Sequence, residues 1–156
     1  TRLTPARVSF LRGRIRRVFQ HYGWITNLDI MENICLAEVY HSRRMPADVE
    51  KEARELARAF GVDPVPDSRP STEQSIVLRR LEWVRAFMGK PDLILLERPC
   101  RDASRADAPN LARAARNAAG NGAAILWMED DPHVLDCPAV AGARRYRMDG
   151  ELLKAV

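Results

Sequence analysis

Cysteine and histidine are scarce in this sequence and do not cluster. The 156 residues include three cysteines and three histidines, with no Cys-x-x-Cys pair. Because structural zinc sites take closely spaced Cys and His ligands, we expect no zinc site. Three cysteines cannot all pair within one chain, which favours a reduced, cytoplasmic setting.

Long apolar runs are also missing. The longest candidates, such as residues 93–96, have the length of a strand, whereas a bilayer-spanning helix needs about 18 apolar residues. Residues 1–5 lack the apolar stretch of a secretory signal. We therefore expect neither a membrane span nor secretion, and the length suits one globular domain, or one domain plus a fragment.

Glycine-rich loops are absent, and so is the phosphate-loop pattern GxxxxGK[ST]. Such a loop needs glycines so that successive backbone N–H groups can converge on a phosphate. The nearest candidate, residues 120–122 (GNG), follows a predicted helix and precedes a predicted strand. It would present helix C-terminal carbonyls, which have the wrong polarity for phosphate, so it predicts a helix C-cap.

The positive charge is modest and comes mainly from arginine. Lys and Arg number 25 against 21 Asp and Glu, which gives a net charge of +4. Such a balance suits nucleic acid, acidic lipid or nucleotide phosphate, but an ordinary solvated surface is the simpler explanation. Aromatic residues make up 6% of the chain and do not interleave with the basic run at 12–17. Nucleic-acid binding therefore ranks third among the functions considered, and no nucleic-acid partner is expected.

The first half of the chain predicts one strand followed by helices. Residues 14–19 form the strand, and Asp29 with Glu32 resembles the cap of a first helix. A second helix begins at Pro46 or Ala47 and ends at Phe60, before the proline-rich loop 62–70. Ser71, with Gln74 three positions later, predicts the capping box of a third helix.

The second half alternates strand, helix and strand. Residues 92–97 and 123–128 are apolar enough for buried parallel strands, and 105–119 predict the helix between them. Residues 144–153 predict a hairpin that turns at 149–150. The fold class is therefore α/β with a parallel core, and 24–89 form a helical insert.

Acidic residues follow both predicted parallel strands. They are Glu97, with Arg98 directly after it, and residues 129–131 (EDD). The carboxyl ends of parallel strands meet at one edge, where carboxylates could hold Mg²⁺. The alternative is that residues at a sheet edge are polar because they meet water. In addition, Arg98 could neutralise Glu97 and prevent metal binding.

Several segments in the same order resemble the ATP-binding cassette (ABC) ATPases, over nearly all 156 residues. Residues 11–20 (LRGRIRRVFQ) are similar to the segment that enters the family's Q-loop, and residues 31–34 (MENI) to the helix start after it. Residues 85–99 (RAFMGKPDLILLERP) resemble the family's RAL…PDLLLLDEP run, and residues 124–127 and 146–152 resemble its H-loop strand and terminal hairpin.

The resemblance implies a parallel sheet core like that of P-loop NTPases, with the N-terminal part missing and a helical subdomain inserted. It divides the chain into 1–23 (end of the core and Q-loop strand), 24–89 (helical subdomain) and 90–156 (C-terminal α/β core). It also implies ATP and Mg²⁺ as possible cofactors. Gln20 matches the glutamine that touches Mg²⁺ or the attacking water, and Glu97 takes the place of the Walker B aspartate, so both are candidate nucleotide and Mg²⁺ ligands.

The sequence departs from the family at its catalytic positions. Residues 73–77 (EQSIV) replace the LSGGQ signature, and 101–104 (RDAS) replace the D-loop. Arg98 takes the place of the general base and Asp130 that of the switch histidine, although His133 lies three residues further on. An arginine stays charged in proteins and cannot accept a proton, so no catalytic residue is intact.

The resemblance thus implies a degenerate ATP-binding subunit of an ABC transporter, weak or inactive in hydrolysis. Its expected partners are a transmembrane subunit and a second nucleotide-binding subunit, and its expected location is the cytoplasmic face of the membrane. The alternative is a regulatory scaffold that kept the fold and lost nucleotide binding. A further alternative is that this chain is part of a longer protein whose upstream part carries the phosphate loop.

Overall fold

A computed structural model describes residues 3–156 as six α-helices and five strands, joined by turns and short 3-10 helices. The helices are α1 (Pro5–Arg14), α2 (Ile30–His41), α3 (Pro46–Ala59), α4 (Ser75–Phe87), α5 (Ala108–Gly120) and α6 (Pro132–Leu135). The strands are β1 (Ile15–Val18), β2 (Leu93–Glu97), β3 (Ala124–Met128), β4 (Tyr146–Asp149) and β5 (Leu152–Ala155). No helix in this part of the chain has both the length and the apolar character to cross a bilayer.

The predicted parallel sheet is confirmed. Its strand order is β1-β2-β3, and β2 pairs in parallel with both neighbours. The register aligns Val18, Leu96 and Trp127 across the three strands. Since helices α2 to α4 separate β1 from β2 in the chain, the fold class predicted from the sequence, α/β with a helical insert, is confirmed.

The sheet buries one face and leaves the other accessible. On the packed face, Val18, Ile94 and Leu96 are completely buried. On the opposite face, which we call the open sheet face, Ile15, Leu126 and Met128 are 42%, 52% and 40% exposed. The prediction that 92–97 and 123–128 are buried throughout is therefore wrong for this face, since Leu126 and Met128 stay exposed and lie outside the buried core.

The first two helices of the insert form as the sequence predicts. The Asp29 carboxylate accepts from the Glu32 backbone N–H at 2.7 Å, and the Glu32 carboxylate accepts from the Asp29 N–H at 2.9 Å. This capping box satisfies two of the donors that every helix N-terminus leaves free. In α3, Val49, Ala53 and Ala57 form the buried stripe, and Gly61 follows with a φ of +78°.

The predicted start of the third helix is wrong. Pro70–Thr72 form a 3-10 turn, Glu73 is extended, and α4 begins at Ser75 with Gln74 as its N-cap residue. The Glu73 carboxylate accepts from the Ser68 hydroxyl at 2.6 Å, and the Thr72 hydroxyl donates to the Arg69 carbonyl at 2.9 Å. These local side-chain bonds stabilise a turn where the sequence pattern suggested a capping box.

Helix α1 is not predicted by the sequence. Thr4 caps it by accepting from the Arg7 backbone N–H, and Pro5 occupies its first turn. None of its residues is buried, and Phe10 is 61% exposed. Because α1 has no continuous apolar stripe, it lacks the periodic signal from which the other long helices were predicted. The C-terminal hairpin, by contrast, pairs β4 with β5 around 149–150 as predicted.

Candidate functional site at the polar edge of the sheet

The three parallel strands all run toward one edge of the sheet. Gln20 lies just beyond β1, Glu97 ends β2 and is followed by Arg98, and Asp130 lies just beyond β3. The backbone N–H of Arg98 donates to the Met128 carbonyl at 2.8 Å, which extends the pairing of β2 with β3 past the end of β2. The structure thus places these four residues at one edge, and the side chains of Gln20, Arg98 and Asp130 contact one another there.

Glu97 is neutralised by a neighbour on the adjacent strand. Its carboxylate forms a close ion pair with the guanidinium of Arg17, and the Glu97 side chain is 23% exposed. Arg17 can reach it because β1 and β2 lie side by side, with Arg17 in register with Leu95. The sequence suggested Arg98 as the neutralising group, and that interpretation is wrong.

Arg98 pairs with the third strand instead. Its Nε lies 2.8 Å from Oδ1 of Asp130. The backbone of Arg98 has a φ of +43°, a left-handed conformation that is uncommon for residues other than glycine and turns the chain directly after β2. The residues at the general-base and switch-histidine positions of the resemblance therefore form an ion pair with each other.

Gln20 joins this ion pair. In the amide orientation that satisfies both of its ends, the Gln20 side-chain oxygen accepts from Nη1 of Arg98 at 3.1 Å and from Nη1 of Arg101 at 3.3 Å. Gln20 is therefore linked to Asp130 through Arg98. Side chains therefore link the ends of all three strands, in addition to the backbone pairing.

As arranged, these residues do not fit a Mg²⁺ ion. Mg²⁺ requires free oxygen ligands, yet both carboxylates are paired with guanidinium groups and the Gln20 oxygen accepts from two arginines. Between residues 3 and 156, no group of three or more His, Cys, Asp or Glu side chains is placed to hold a metal. The assignment of Gln20 and Glu97 as nucleotide and Mg²⁺ ligands stays a prediction.

A buried arginine connects the loops that follow β1 and β2 at this edge. The sequence did not predict its role. Arg79, on α4, has no exposed surface. It donates to the backbone carbonyls of Phe19 at 2.7 Å, Gln20 at 3.1 Å and Arg101 at 2.9 Å. The same guanidinium forms a 2.6 Å ion pair with buried Glu82. One side chain therefore joins the loop after β1 to the loop after β2.

Glu82 completes this buried network. It also accepts from the Gly23 backbone N–H at 3.1 Å, and Arg85 lies 3.4 Å away. Burial raises the pKa of Glu82, while Arg79 and Arg85 oppose that rise. Burial likewise lowers the pKa of Arg85. The only sequence signal was a charged residue every third position, at 79, 82 and 85, on a helix whose apolar residues predict burial.

The remaining candidate positions lie around this network. His133 is exposed on α6, where its backbone N–H donates to the Asp131 carboxylate at 2.9 Å. Asp102, in the loop after β2, has a φ of +62° and accepts from the Tyr22 hydroxyl at 3.0 Å. The residues that replace the signature sequence, 73–77, span the start of α4.

Cys100 provides a chemical probe of the loop after β2. Burial raises the pKa of its thiol to about 12, with smaller contributions from Glu129 and Asp107. Because the thiolate is the nucleophile, we expect native Cys100 to react with iodoacetamide at pH 8 at least about a hundredfold more slowly than the same cysteine in urea-unfolded chain. Mass spectrometry of timed, quenched samples measures both rates. Equal rates would show that this loop is open to solvent.

The described chain has the architecture of a parallel α/β protein with helices inserted between β1 and β2. No protein-family model matches the chain. It is 24% identical over 132 residues to an uncharacterized ABC transporter ATP-binding protein of Escherichia coli (strain K12), covering 81% of this chain and 26% of the relative. It is 29% identical over 106 residues to the phosphonates import ATP-binding protein PhnC 1 of Ruegeria sp. (strain TM1040), covering 64% and 41%. The chain thus spans less than half the length of these relatives.

Solved structures of ABC cassettes share the fold of this chain. The dimeric bacterial ABC transporter cassette MJ0796 superposes with a TM-score of 0.75 at 19% identity, over 85% of this chain and 59% of that one. The post-hydrolysis state of that cassette, bound to ADP and Pi, matches equally well. The resemblance to the ABC ATPases is confirmed, and the fold of this chain is that of part of an ABC ATPase cassette.

Proposed function

We propose that this chain is a degenerate nucleotide-binding subunit of an ABC transporter that does not hydrolyse ATP at its own site. The observation that carries the proposal is the Arg98–Asp130 ion pair at 2.8 Å, at the positions where the family has a general base and a switch histidine. A guanidinium that stays protonated cannot take a proton from water. Arg17 also pairs with Glu97, and this pairing should weaken any binding of a metal ion by the Glu97 carboxylate.

The same ion pair supports a subunit whose site does not change shape when nucleotide binds. Gln20, Arg98 and Asp130 are linked to one another by their side chains. In the family, the glutamine at the position of Gln20 reports the state of the site to the membrane subunit. In this chain the Gln20 oxygen already accepts from two arginines. We expect it to hold one position whether or not nucleotide is present.

The proposal extends to the partners. A transmembrane subunit would dock on the surface formed by residues 28–60, within a helical subdomain at 24–89, between core segments at 1–23 and 90–156. A second, hydrolytically competent nucleotide-binding subunit would supply turnover. Both would place the chain on the cytoplasmic face of a membrane. The relatives support this, since the names of several describe ATP-binding proteins of import or transport systems.

Phosphate release from Mg²⁺-ATP tests the absence of hydrolysis. We expect the purified chain to release phosphate no faster than a buffer blank, because Arg98 provides no base. Arg98→Glu places a carboxylate at the same strand end, and Arg98→Gln is its uncharged control. Turnover by the parent chain that Arg98→Glu leaves unchanged would contradict the proposal, since the reaction would then use another group.

The Arg17–Glu97 pair favours a second candidate function, a scaffold that no longer binds nucleotide. Glu97 is already neutralised, so a metal would have to displace Arg17. Titration with ATP, with and without Mg²⁺, followed by calorimetry, separates the two candidates. Mg²⁺-dependent binding supports the nucleotide-binding subunit, whereas no heat of binding together with retained affinity for a protein partner supports the scaffold.

A further inference from the structure

A groove with a cavity volume of about 660 Å³ lies away from the polar edge. Its walls come from the C-terminal ends of α3 and α4 and from one side of α5. Pro91 and Ala123, just before β2 and β3, also line it. The groove is therefore at the amino ends of the strands, opposite to Gln20, Glu97 and Asp130, and is separate from the candidate nucleotide site.

The floor of the groove is apolar. Phe60 and Phe87 lie side by side in it, with ring centroids 5.9 Å apart, and Leu56, Ala114 and Ala118 extend the apolar surface. Leu56, Phe87, Ala114 and Ala118 are only half-buried, so the surface they offer is accessible. Covering such a surface is favourable by roughly 25 cal/mol for each Å² of apolar area.

One side of the groove carries a polar stripe along α5. Asn110, Arg113, Asn117 and Asn121 follow at spacings of three and four residues, which places them on one face of the helix. At a rise of 1.5 Å per residue, the stripe from 110 to 121 is roughly 16 Å long. An elongated row of amides suits the backbone and side chains of a peptide better than a compact ligand.

The charges that line the groove all have one sign. Lys90 and Arg113 are its charged residues, and none of its lining residues is acidic. Arg113 donates to the side-chain oxygen of Asn110 at 2.5 Å. Neither cation forms an ion pair with a carboxylate within residues 3–156. Charge complementarity therefore calls for an acidic occupant.

We propose that this groove binds an acidic, amphipathic peptide segment of a partner protein. Apolar side chains of the segment pack on the accessible surface of Leu56, Phe87 and Ala114, as an amphipathic helix packs its apolar face into a hydrophobic groove. Its carboxylates pair with Lys90 and Arg113, and the asparagine amides of α5 bond to its polar groups. A segment of about 12 residues, roughly 18 Å long as a helix, matches the stripe.

Selection from a phage-displayed library of random peptides of that length tests the proposal on the full chain. Peptides that survive washing are sequenced, synthesised and measured by fluorescence anisotropy. The test variant is Lys90→Glu with Arg113→Glu. Its control is Arg7→Glu with Arg43→Glu, which changes the net charge by the same amount at two exposed arginines that do not line the groove. Circular dichroism checks that both variants fold.

We expect selected peptides to combine Asp or Glu with apolar residues spaced three or four apart. They should bind the test variant at least about tenfold more weakly than the control variant. A second variant, Ala114→Asp, should weaken binding without removing either cation. No enrichment, equal binding to both double variants, or equally tight binding of acidic peptides that lack apolar residues would each overturn the proposal.

Discussion

Replacing Arg79 with Met is expected to destabilise the chain by about 3–5 kcal/mol, because it removes the closest charge partner of the buried Glu82 carboxylate, which then keeps only Arg85 at 3.4 Å. It also leaves three backbone carbonyls, those of Phe19, Gln20 and Arg101, without the donor that now satisfies them. A typical domain is stable by only about 5–15 kcal/mol, so this single change removes a large share of the total. Urea unfolding followed by circular dichroism at 222 nm measures the loss.

Two controls identify the buried charge as the cause. Arg43 is exposed, and we expect Arg43→Met to change the stability by less than about 0.5 kcal/mol. Adding Glu82→Gln to Arg79→Met removes a buried charge that Arg85 alone compensates, while keeping an acceptor for the Gly23 N–H, so we expect part of the loss to be recovered. If Arg79→Met alone costs under about 1 kcal/mol, the guanidinium does not hold the two loops together.

The pH dependence of Arg79→Met has a definite sign. Burial already raises the pKa of Glu82, and removal of Arg79 takes away an opposing charge, so the rise becomes larger. A carboxyl with a raised pKa binds its proton more tightly in the folded state, which makes stability fall as pH rises through the window above its unfolded value. The difference in unfolding midpoint between parent and variant should therefore shrink from pH 8 to pH 5.

Truncation of Trp83 to Ala is the second large expected effect, at about 3–5 kcal/mol. Trp83 lies on α4 with no exposed surface, and its ring meets that of Phe60 edge-on at a centroid distance of 5.5 Å. Its indole Nε1–H donates to the Pro99 carbonyl at 3.0 Å, in the loop that follows β2. The side chain therefore joins the helical insert to the sheet core, and its loss leaves a cavity at their junction.

Trp83→Phe separates packing from hydrogen bonding. It keeps a ring against Phe60 but removes the donor to Pro99, so we expect it to cost about 1–3 kcal/mol, clearly less than Trp83→Ala. Urea unfolding by circular dichroism gives both values, since a fluorescence signal would change with the tryptophan itself. Equal losses for Phe and Ala would mean that the hydrogen bond, and not the buried ring, stabilises the junction.

Local chemistry explains which elements could be predicted from the sequence. Asp29 and Glu32 satisfy each other's backbone donors within four residues, so their pattern fixes a helix start without tertiary help. The strands at 93–97 and 124–128 are apolar runs bounded by turn residues, which is also a local signal. The pattern of Ser71 and Gln74 predicted the wrong helix start. The Ser68 hydroxyl, which lies before that pattern in the chain, donates to the Glu73 carboxylate and stabilises a turn there instead.

The location of the site was predictable, but its bonding was not. Strand ends in a parallel sheet meet at one edge, so Glu97 and Asp130 could be placed together from the sequence, whereas Gln20 was a candidate only through the family resemblance. Which arginine pairs with which carboxylate depends on the register of β1 against β2 and on the left-handed turn at Arg98. Both features depend on the tertiary structure and cannot be inferred from local sequence. Arg79 was missed because an arginine on a helix is ordinarily solvated.

The three-stranded sheet is bounded by β1 on one side and β3 on the other, and within the described chain each has an unpaired outer edge. Such edges offer free N–H and C=O groups that can add a strand from another molecule, and the accessible apolar residues Ile15, Leu126 and Met128 lie beside them. The isolated chain should therefore associate with itself as its concentration rises. Light scattering across a dilution series would establish the range in which it can be studied as a monomer.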